Sequence, residues 1–352
     1  MAVPAGFCAT WGECRRTGLT RRSRARPATV KTGQCNQQRF PREETLKKLL
    51  MATALCIFAT PALAETRIAV SMTSFDNPFL TILLNGIRAE AGRDKTIELL
   101  VEDAQLDPSK QLNQVQNFIA NGVDAIIVNA VDGDATSAIT KAASAAKIPL
   151  VYVNHPPAEL ETGLPDGTAF VGSNELDSGT MEAEAACKLM GGKGKAVILM
   201  GPLENHAALV RTKDVETVFS KPDCKIEILE KQTANWSRTQ AQDLVSSWLT
   251  AGIQFDAVIA NNDEMAIGAV QALKAAGVSM KDVVIAGIDA TPDGLAAMQA
   301  GDLDITVYQN ATKQGEVSVQ AAVKAAAGQS TEKTLWVPFE LVTPENMSAY
   351  AK

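Results

Sequence analysis

The chain has 352 residues, 46% apolar and 21% charged, with a formal net charge of −7. That is the composition of a folded globular chain, not a disordered or collagen-like one, and it is long enough for two packed cores. Only two histidines are present, His155 and His206, which excludes a metal site built from several histidines.

The charge is unevenly placed. Residues 1–48 hold eleven Lys or Arg against three acids and residues 49–64 hold none, so residues from 65 onward carry 22 bases, 37 acids and a net charge of −15. A body this acidic is poorly suited to a phosphate backbone, so no nucleic-acid partner is expected. Lys47-Lys48 precede an uncharged run, Leu49–Ala59, and then Pro61-Ala62-Leu63-Ala64, a small-residue exit before Glu65. This pattern predicts a signal peptide over 45–64, cleaved after Ala64, with an exported mature chain. The apolar run is too short to span a bilayer as a helix. Large Leu55 before Cys56 disfavours a lipid anchor there. Residues 1–44 are Arg-rich and aperiodic, and read as an upstream extension from a misplaced start codon; a basic nucleic-acid arm is the alternative. Cys8, Cys14, Cys35 and Cys56 leave with this leader. Cys187 and Cys224 remain, an even number in an oxidising compartment, and spacing alone leaves open whether they pair.

From Arg67 the chain alternates short β-branched runs with helical patterns. Strands are predicted at Arg67–Ser71, Ile97–Val101, Ala125–Asn129 and Leu150–Asn154, with helices at Phe79–Ala91, Pro108–Asn121 and Ala135–Ala146. The rhythm restarts with strands at Thr168–Val171, Lys195–Met200, Ile226–Lys231, Ala257–Asn261, Val283–Ile288 and Asp304–Gln309. Helices alternate with them at Gly179–Met190, Ala207–Phe219, Thr239–Ala251 and Ala266–Ala276. Continuous apolar strands between helices imply parallel sheets covered on both faces. The fold class is therefore α/β, with two doubly wound lobes joined without a low-complexity linker.

In such sheets, ligands bind beyond the carboxyl ends of the strands. The polar residues closing the apolar runs are Asn129, Asn154, His155, Asn261, Asn262, Asp263, Asp289 and Gln309. Amides and carboxylates of this kind pair with neutral hydroxyls. Phe79 and Trp236, at the edges of predicted elements, are candidate platforms for an apolar sugar face, and Arg211 is a cationic donor early in a helix. Each has a plainer reading: Trp236 as core, Arg211 as a solvated helix residue, Asp289 as a turn residue before Thr291-Pro292-Asp293-Gly294, and Asn262-Asp263 as a helix cap. Glu182, Glu184 and Glu204 read as surface charge.

Enzyme signatures are missing. Gly191-Gly192-Lys193-Gly194-Lys195 precedes a strand rather than following one, so neither phosphate-loop fingerprint applies, and no G-x-S-x-G occurs. No cofactor or metal is expected, and no enzymatic activity.

At Asn77-Pro78-Phe79, at Asn261-Asn262-Asp263-Glu264-Met265-Ala266 and at Asp289-Ala290-Thr291-Pro292-Asp293-Gly294, the sequence resembles ribose-type (type I) periplasmic sugar-binding proteins of ABC transporters. The resemblance runs from about residue 66 to 345. Within it, Gln232–Arg238 (QTANWSR) and Pro338–Asn346 (PFELVTPEN) look like the myo-inositol or polyol binders. It implies two Rossmann-like lobes joined by three crossings: an N-terminal lobe of 65–169 plus 310–338 and a C-terminal lobe of 170–309 plus 339–352.

By the same resemblance, ligand contacts fall to Asn77, Phe79, Asn129, Asn154, His155, Arg211, Trp236, Asn262, Asp289 and Gln309, with Asp263 left as a cap. The ligand is then a monosaccharide or cyclic polyol. The partner is an inner-membrane ABC permease, with a chemoreceptor as a further partner. Two departures speak against ribose itself: Leu80 stands where ribose binders carry a second aromatic, and Asn154-His155 stand where they carry Asp-Arg. A different pentose or hexose in the same transport role, and the ligand-binding module of a lac-repressor-type regulator, are the alternatives; the regulator needs a helix-turn-helix that residues 1–46 do not offer.

Overall fold

The computed structural model describes residues 65–351. The basic extension, the signal peptide and their four cysteines lie outside the described residues.

The first run of elements is β1 (Thr66–Met72), α1 (Pro78–Ala91), β2 (Ile97–Asp103), α2 (Pro108–Ala120), β3 (Ala125–Val128), α3 (Thr136–Ala146), β4 (Leu150–Val153) and β5 (Thr168–Gly172). The second is α4 (Glu175–Leu189), β6 (Lys193–Met200), α5 (His206–Phe219), β7 (Lys225–Thr233), α6 (Arg238–Thr250), β8 (Ala257–Ala260), α7 (Asp263–Ala275), β9 (Val284–Asp289), α8 (Pro292–Gln299) and β10 (Ile305–Gln309). The chain then returns through α9 (Ala311–Ala326) and β11 (Thr334–Trp336), and ends in β12 (Phe339–Val342) and a short 3₁₀ turn, Met347–Ala349.

Two six-stranded sheets result, ordered β11-β5-β4-β3-β1-β2 and β12-β10-β9-β8-β6-β7. All pairings are parallel except that of β12 with β10. The central strands β3 (AIIV) and β8 (AVIA) are buried at every position, as strands covered by helices on both faces must be. Helices α1 and α9 pack together on one face of the first sheet, and α6 and α7 pack together against the second.

The chain passes between the sheets three times: after β5, after β10, and between β11 and β12. The first crossing falls after Gly172. Residues 170–172, expected in the C-terminal lobe, therefore belong to the first sheet, because β5 pairs along its length with β4 and β11. Helix α4 starts a turn earlier than its apolar pattern indicates, at Glu175 instead of Gly179. The sequence pattern also gave no notice of α8, α9, β11 or β12. The strands are only three and four residues long, and α9 buries mainly small or polar side chains such as Ala311, Gln314, Gly315 and Ser318.

Of the acids read as surface charge, Glu184 and Glu204 are exposed, but Glu182 is fully buried. It lies on the same stripe of α4 as Ser178, Gly179 and Ala186, which faces the second sheet. Cys187 at the end of α4 and Cys224 before β7 form a disulfide, with Cα atoms 5.9 Å apart at a sequence separation of 37. Closing a loop of that size restricts the unfolded chain. Replacing both cysteines with serine should lower unfolding stability by about 2–4 kcal/mol, read by denaturant titration; unchanged stability would show that the bridge contributes nothing.

Candidate ligand-binding cleft

The carboxyl ends of both sheets face one cleft of about 800 Å³, lined from the first lobe by loops after β1, β2, β3 and β4 and from the second by loops after β6, β7, β8 and β9. Six helices, α1, α2, α4, α5, α6 and α7, begin at this cleft, and all but α4 are capped by a side chain, in order Asn77, Asp107, Asn205, Ser237 and Asn262. Their positive ends favour ligand oxygens.

Asn77 and Asn262 occupy matching places in the two lobes. The Oδ1 of Asn77 accepts from Leu80 N at 3.1 Å, and that of Asn262 from Met265 N at 3.0 Å. Each amide nitrogen donates to no described residue and stays at the cleft as a donor. The cap of α7 is thus Asn262 itself, and Asp263, expected as the cap, is not one. Its carboxylate is fully buried, away from the cleft, and accepts from Thr291 and Thr306.

Arg211 is buried to 4% exposure, and each of its three nitrogens makes one hydrogen bond, which leaves one N–H on each Nη. Nε donates to Glu175 Oε2 at 2.7 Å, Nη1 to Asn261 O at 2.8 Å and Nη2 to Gln309 Oε1 at 3.3 Å. Burial opposes its charge, but Glu175, Asp289 and Glu182 hold its pKa above the usual value. Glu175 also receives Ser178 Oγ at 3.1 Å. This acid, unflagged by the sequence pattern, fixes the one buried cation at the cleft. Gly179 permits the approach, since a Cβ there would lie 2.6 Å from Arg211 O. A second missed pair lies at the rim, where Arg238 forms a two-pronged bridge to Glu264 at 2.9 and 2.7 Å and also reaches Asp293 at 2.7 Å.

The aromatic pair comes from opposite lobes, Phe79 from α1 and Trp236 from the loop before α6. Trp236 lies close over Gly201, where a Cβ would strike its ring at 2.2 Å, and the Arg211 guanidinium stands 5.8 Å from its ring centroid. His155 lines the cleft with Nδ1 2.6 Å from Ala130 O. A carbonyl only accepts, so Nδ1 carries the proton. Burial lowers the imidazole pKa, and the neutral ring keeps Nε2 as an acceptor. Asn154 lines the cleft and donates to Gln314 Oε1 at 3.1 Å, and Gln314 donates to Ser173 Oγ at 2.9 Å, so a cleft residue is tied to two crossings.

Asp289 ends β9 at 6% exposure, lines the cleft and accepts no hydrogen bond from any described residue. Burial, then the neighbouring Asp263, pushes its carboxyl well above the usual carboxylate range, against the pull of Arg211. Backbone strain gathers in the same place. Among described residues other than glycine, positive φ occurs at Gln105, Leu106, Lys147, Asn154, Asn235, Trp236, Asp289 and Ala290, and all but Lys147 are cleft residues or their immediate neighbours.

Asn129 is not part of this site. It is fully buried, with Oδ1 accepting from Thr73 N at 3.3 Å and Nδ2 donating to Val153 O at 3.1 Å, so it knits together the ends of β1, β3 and β4. Asn261 does the same in the second lobe, accepting from Gly201 N at 3.1 Å and Thr212 Oγ1 at 3.2 Å.

A periplasmic binding protein domain model matches residues 68–330. The chain belongs to the periplasmic binding protein family. A Rhizobium meliloti protein that carries the provisional name rhizopine-binding protein is 53% identical over 306 residues, covering 87% of this chain and 99% of that one. The xylitol-binding protein of Mycolicibacterium smegmatis is 36% identical over 291 residues, covering 82% and 80%. An ABC transporter solute-binding protein of Bacillus halodurans, solved with bound myo-inositol, superposes with a TM-score of 0.78 at 40% identity, covering 83% of this chain and 99% of that one. Relatives and fold alike are those of transport solute-binding proteins rather than enzymes, and they give no support to the regulator.

Glu182 offers a check on the electrostatics of this binding protein. Both of its carboxyl oxygens are buried without a hydrogen-bond partner, and burial raises its pKa well above the ordinary 4.5. The folded protein therefore holds a proton that the unfolded chain releases, and stability falls as pH rises beyond about 4.5. Glu182→Gln should raise the melting temperature at neutral pH, with the gain shrinking at pH 4 and below; a pH-independent difference would contradict the assignment.

Proposed function

We propose that this protein captures a neutral sugar or cyclic polyol, with myo-inositol or a close relative favoured, and delivers it to an inner-membrane ABC permease. The observation that carries this reading is the division of labour in the cleft. Both cations, Arg211 and Arg238, are paired with carboxylates, which leaves two N–H groups of Arg211, amide donors, the Asp289 acceptor, the His155 Nε2 acceptor and one aromatic from each lobe. That set suits a ring with hydroxyls around its edge and apolar faces. A bound myo-inositol in the Bacillus halodurans structure and the polyol named for the mycobacterial relative support the same class. The missing Asp-Arg pair of ribose binders favours a hydroxyl pattern other than ribose.

Contacts from Asn77 and Phe79 on one lobe and Trp236, Asn262 and Asp289 on the other form together only when the lobes close, so ligand shifts the population to the closed form. The permease then reads the closed pair of lobes, and a chemoreceptor is a further candidate reader of it. Export follows from cleavage after Ala64, so that protein recovered from the periplasm begins at Glu65.

A thermal-shift screen of inositols, pentoses, hexoses and linear alditols identifies the ligand, since specific binding raises the melting temperature by linkage. A cyclic polyol is expected to give the largest shift; a shift confined to charged metabolites would overturn the reading. With that ligand, calorimetry of Asp289→Ala should show a loss of about 2–5 kcal/mol in binding, and Trp236→Ala a smaller loss with the fold intact. Wild-type affinity in both variants would remove them from the site.

A further inference from the structure

Asp289 and Ala290 are consecutive residues with side chains and φ of +126° and +51°. Strain of this kind persists only where the surroundings over-determine it. The restraint traces to one carboxylate that never reaches the cleft. Asp263 Oδ2 accepts from Thr291 N at 2.7 Å and from Thr291 Oγ1 at 3.1 Å, while Oδ1 accepts from Thr306 Oγ1 at 2.7 Å. Both hydroxyls, having given their protons to Asp263, present lone pairs to backbone amides: Thr306 Oγ1 accepts from Ala290 N at 3.1 Å, and Thr291 Oγ1 accepts from Gly294 N at 3.0 Å. The directions of both hydroxyl bonds to the turn after β9 are thus set by Asp263.

The surrounding chain is shaped to admit this carboxylate. A Cβ at Gly287 would lie 2.7 Å from Asp263 Oδ1, and one at Gly294 2.1 Å from Oδ2. Both positions are glycine, one on β9 and one in the first turn of α8, so the acid is wedged between the strand that ends in Asp289 and the helix that follows.

We propose that Asp263 is a positioning residue for ligand binding: through Thr306 and Thr291 it holds the Asp289–Ala290 backbone in its left-handed form and so aims the Asp289 carboxylate into the cleft. The proposal rests on Asp289 meeting the ligand, as in the reading above, but names the residue that makes Asp289 competent. The two carboxylates are also electrically linked. Asp289 is faced by Asp263 and Glu264 from α7, by Glu175 from α4 and by Arg211 from α5, and Asp263 is faced in turn by Glu264 and Glu182.

The test uses Asp263→Asn, Thr306→Val and Thr306→Ser with myo-inositol as the probe. Asp263→Asn and Thr306→Val should each weaken binding roughly tenfold or more, as expected for loosening a strained, pre-organised contact, while Thr306→Ser, which keeps the hydroxyl, stays near wild type. In Asp263→Asn, loss of a neighbouring negative charge makes Asp289 easier to ionise, so the acid limb of the binding profile moves to lower pH. That movement reports the charge coupling between the two carboxylates, not the positioning. Crystal structures of the variants read the backbone directly: φ at residues 289 and 290 should relax to negative values in Thr306→Val and remain positive in Thr306→Ser. Wild-type affinity in a folded Asp263→Asn or Thr306→Val variant, or positive φ retained in Thr306→Val, overturns the proposal. If wild type does not bind myo-inositol, the ligand assignment fails, and the backbone comparison still decides the positioning role.

Discussion

Arg211 carries a charge that is almost wholly buried at the floor of the cleft, and much of the second lobe is arranged around keeping it there. A buried ion stripped of its partner is among the costliest defects a fold can hold. Glu175 supplies the counter-charge, Asn261 O and Gln309 take the remaining donors, and Gly179 lets α4 and α5 approach closely enough for the pair to form. The consequences reach further. Gln309 ends β10 at the second crossing and Glu175 opens α4 just after the first, so the ion pair fixes the cleft at the place where the chain passes between lobes. Paired with Glu175, Arg211 also stands against Trp236 and Phe339, whose ring centroids both lie 5.8 Å away, and it keeps one N–H on each Nη as a donor beside the cleft.

The two lobes solve the same problem in parallel. After β2 the chain reads Ala104-Gln105-Leu106-Asp107 and after β7 it reads Ala234-Asn235-Trp236-Ser237. In both loops the alanine is buried, the next two residues have positive φ and the fourth caps a helix. The strained pair pushes a large side chain toward the cleft: Leu106, well exposed, from one side and Trp236, held over Gly201, from the other. Only the second is braced, which gives the lobes unequal parts in holding a ring. The asparagines Asn129 and Asn261 are likewise twins, each tying strand ends together behind the site.

Much of this was legible in the sequence because it rests on period and punctuation. Continuous apolar runs such as Ala125–Val128 and Ala257–Ala260 identify buried parallel strands, and the polar residues after them point to the cleft. What the sequence hides is direction. Asn129 ends its strand as plausibly as Asn154 does, yet one side chain turns inward to backbone groups and the other meets the cleft. Asn262 and Asp263 both suit a helix cap, and only the turn of the chain decides that the amide caps while the acid reaches α8 and β10. Glu175 was hidden because the first turn of α4, Glu175–Ser178, is mostly polar and offers no apolar period, although Glu175 and Ser178 are buried against each other. Glu182 fails the usual reading of acids as surface for a related reason: a lone protonated carboxyl on a helix stripe looks, in sequence, like any solvated charge.

The two lobes present facing halves of one cleft, lined by amides, carboxylates and one aromatic from each side, and the proposed capture has closure bring the halves together. Small-angle X-ray scattering of the mature protein, with and without saturating myo-inositol, tests this most directly. The account predicts a smaller radius of gyration with the polyol present, and the same contraction should be lost in Asp289→Ala at a polyol concentration that only just saturates wild type. An unchanged scattering curve in the presence of polyol shown by calorimetry to be bound would contradict capture by lobe closure.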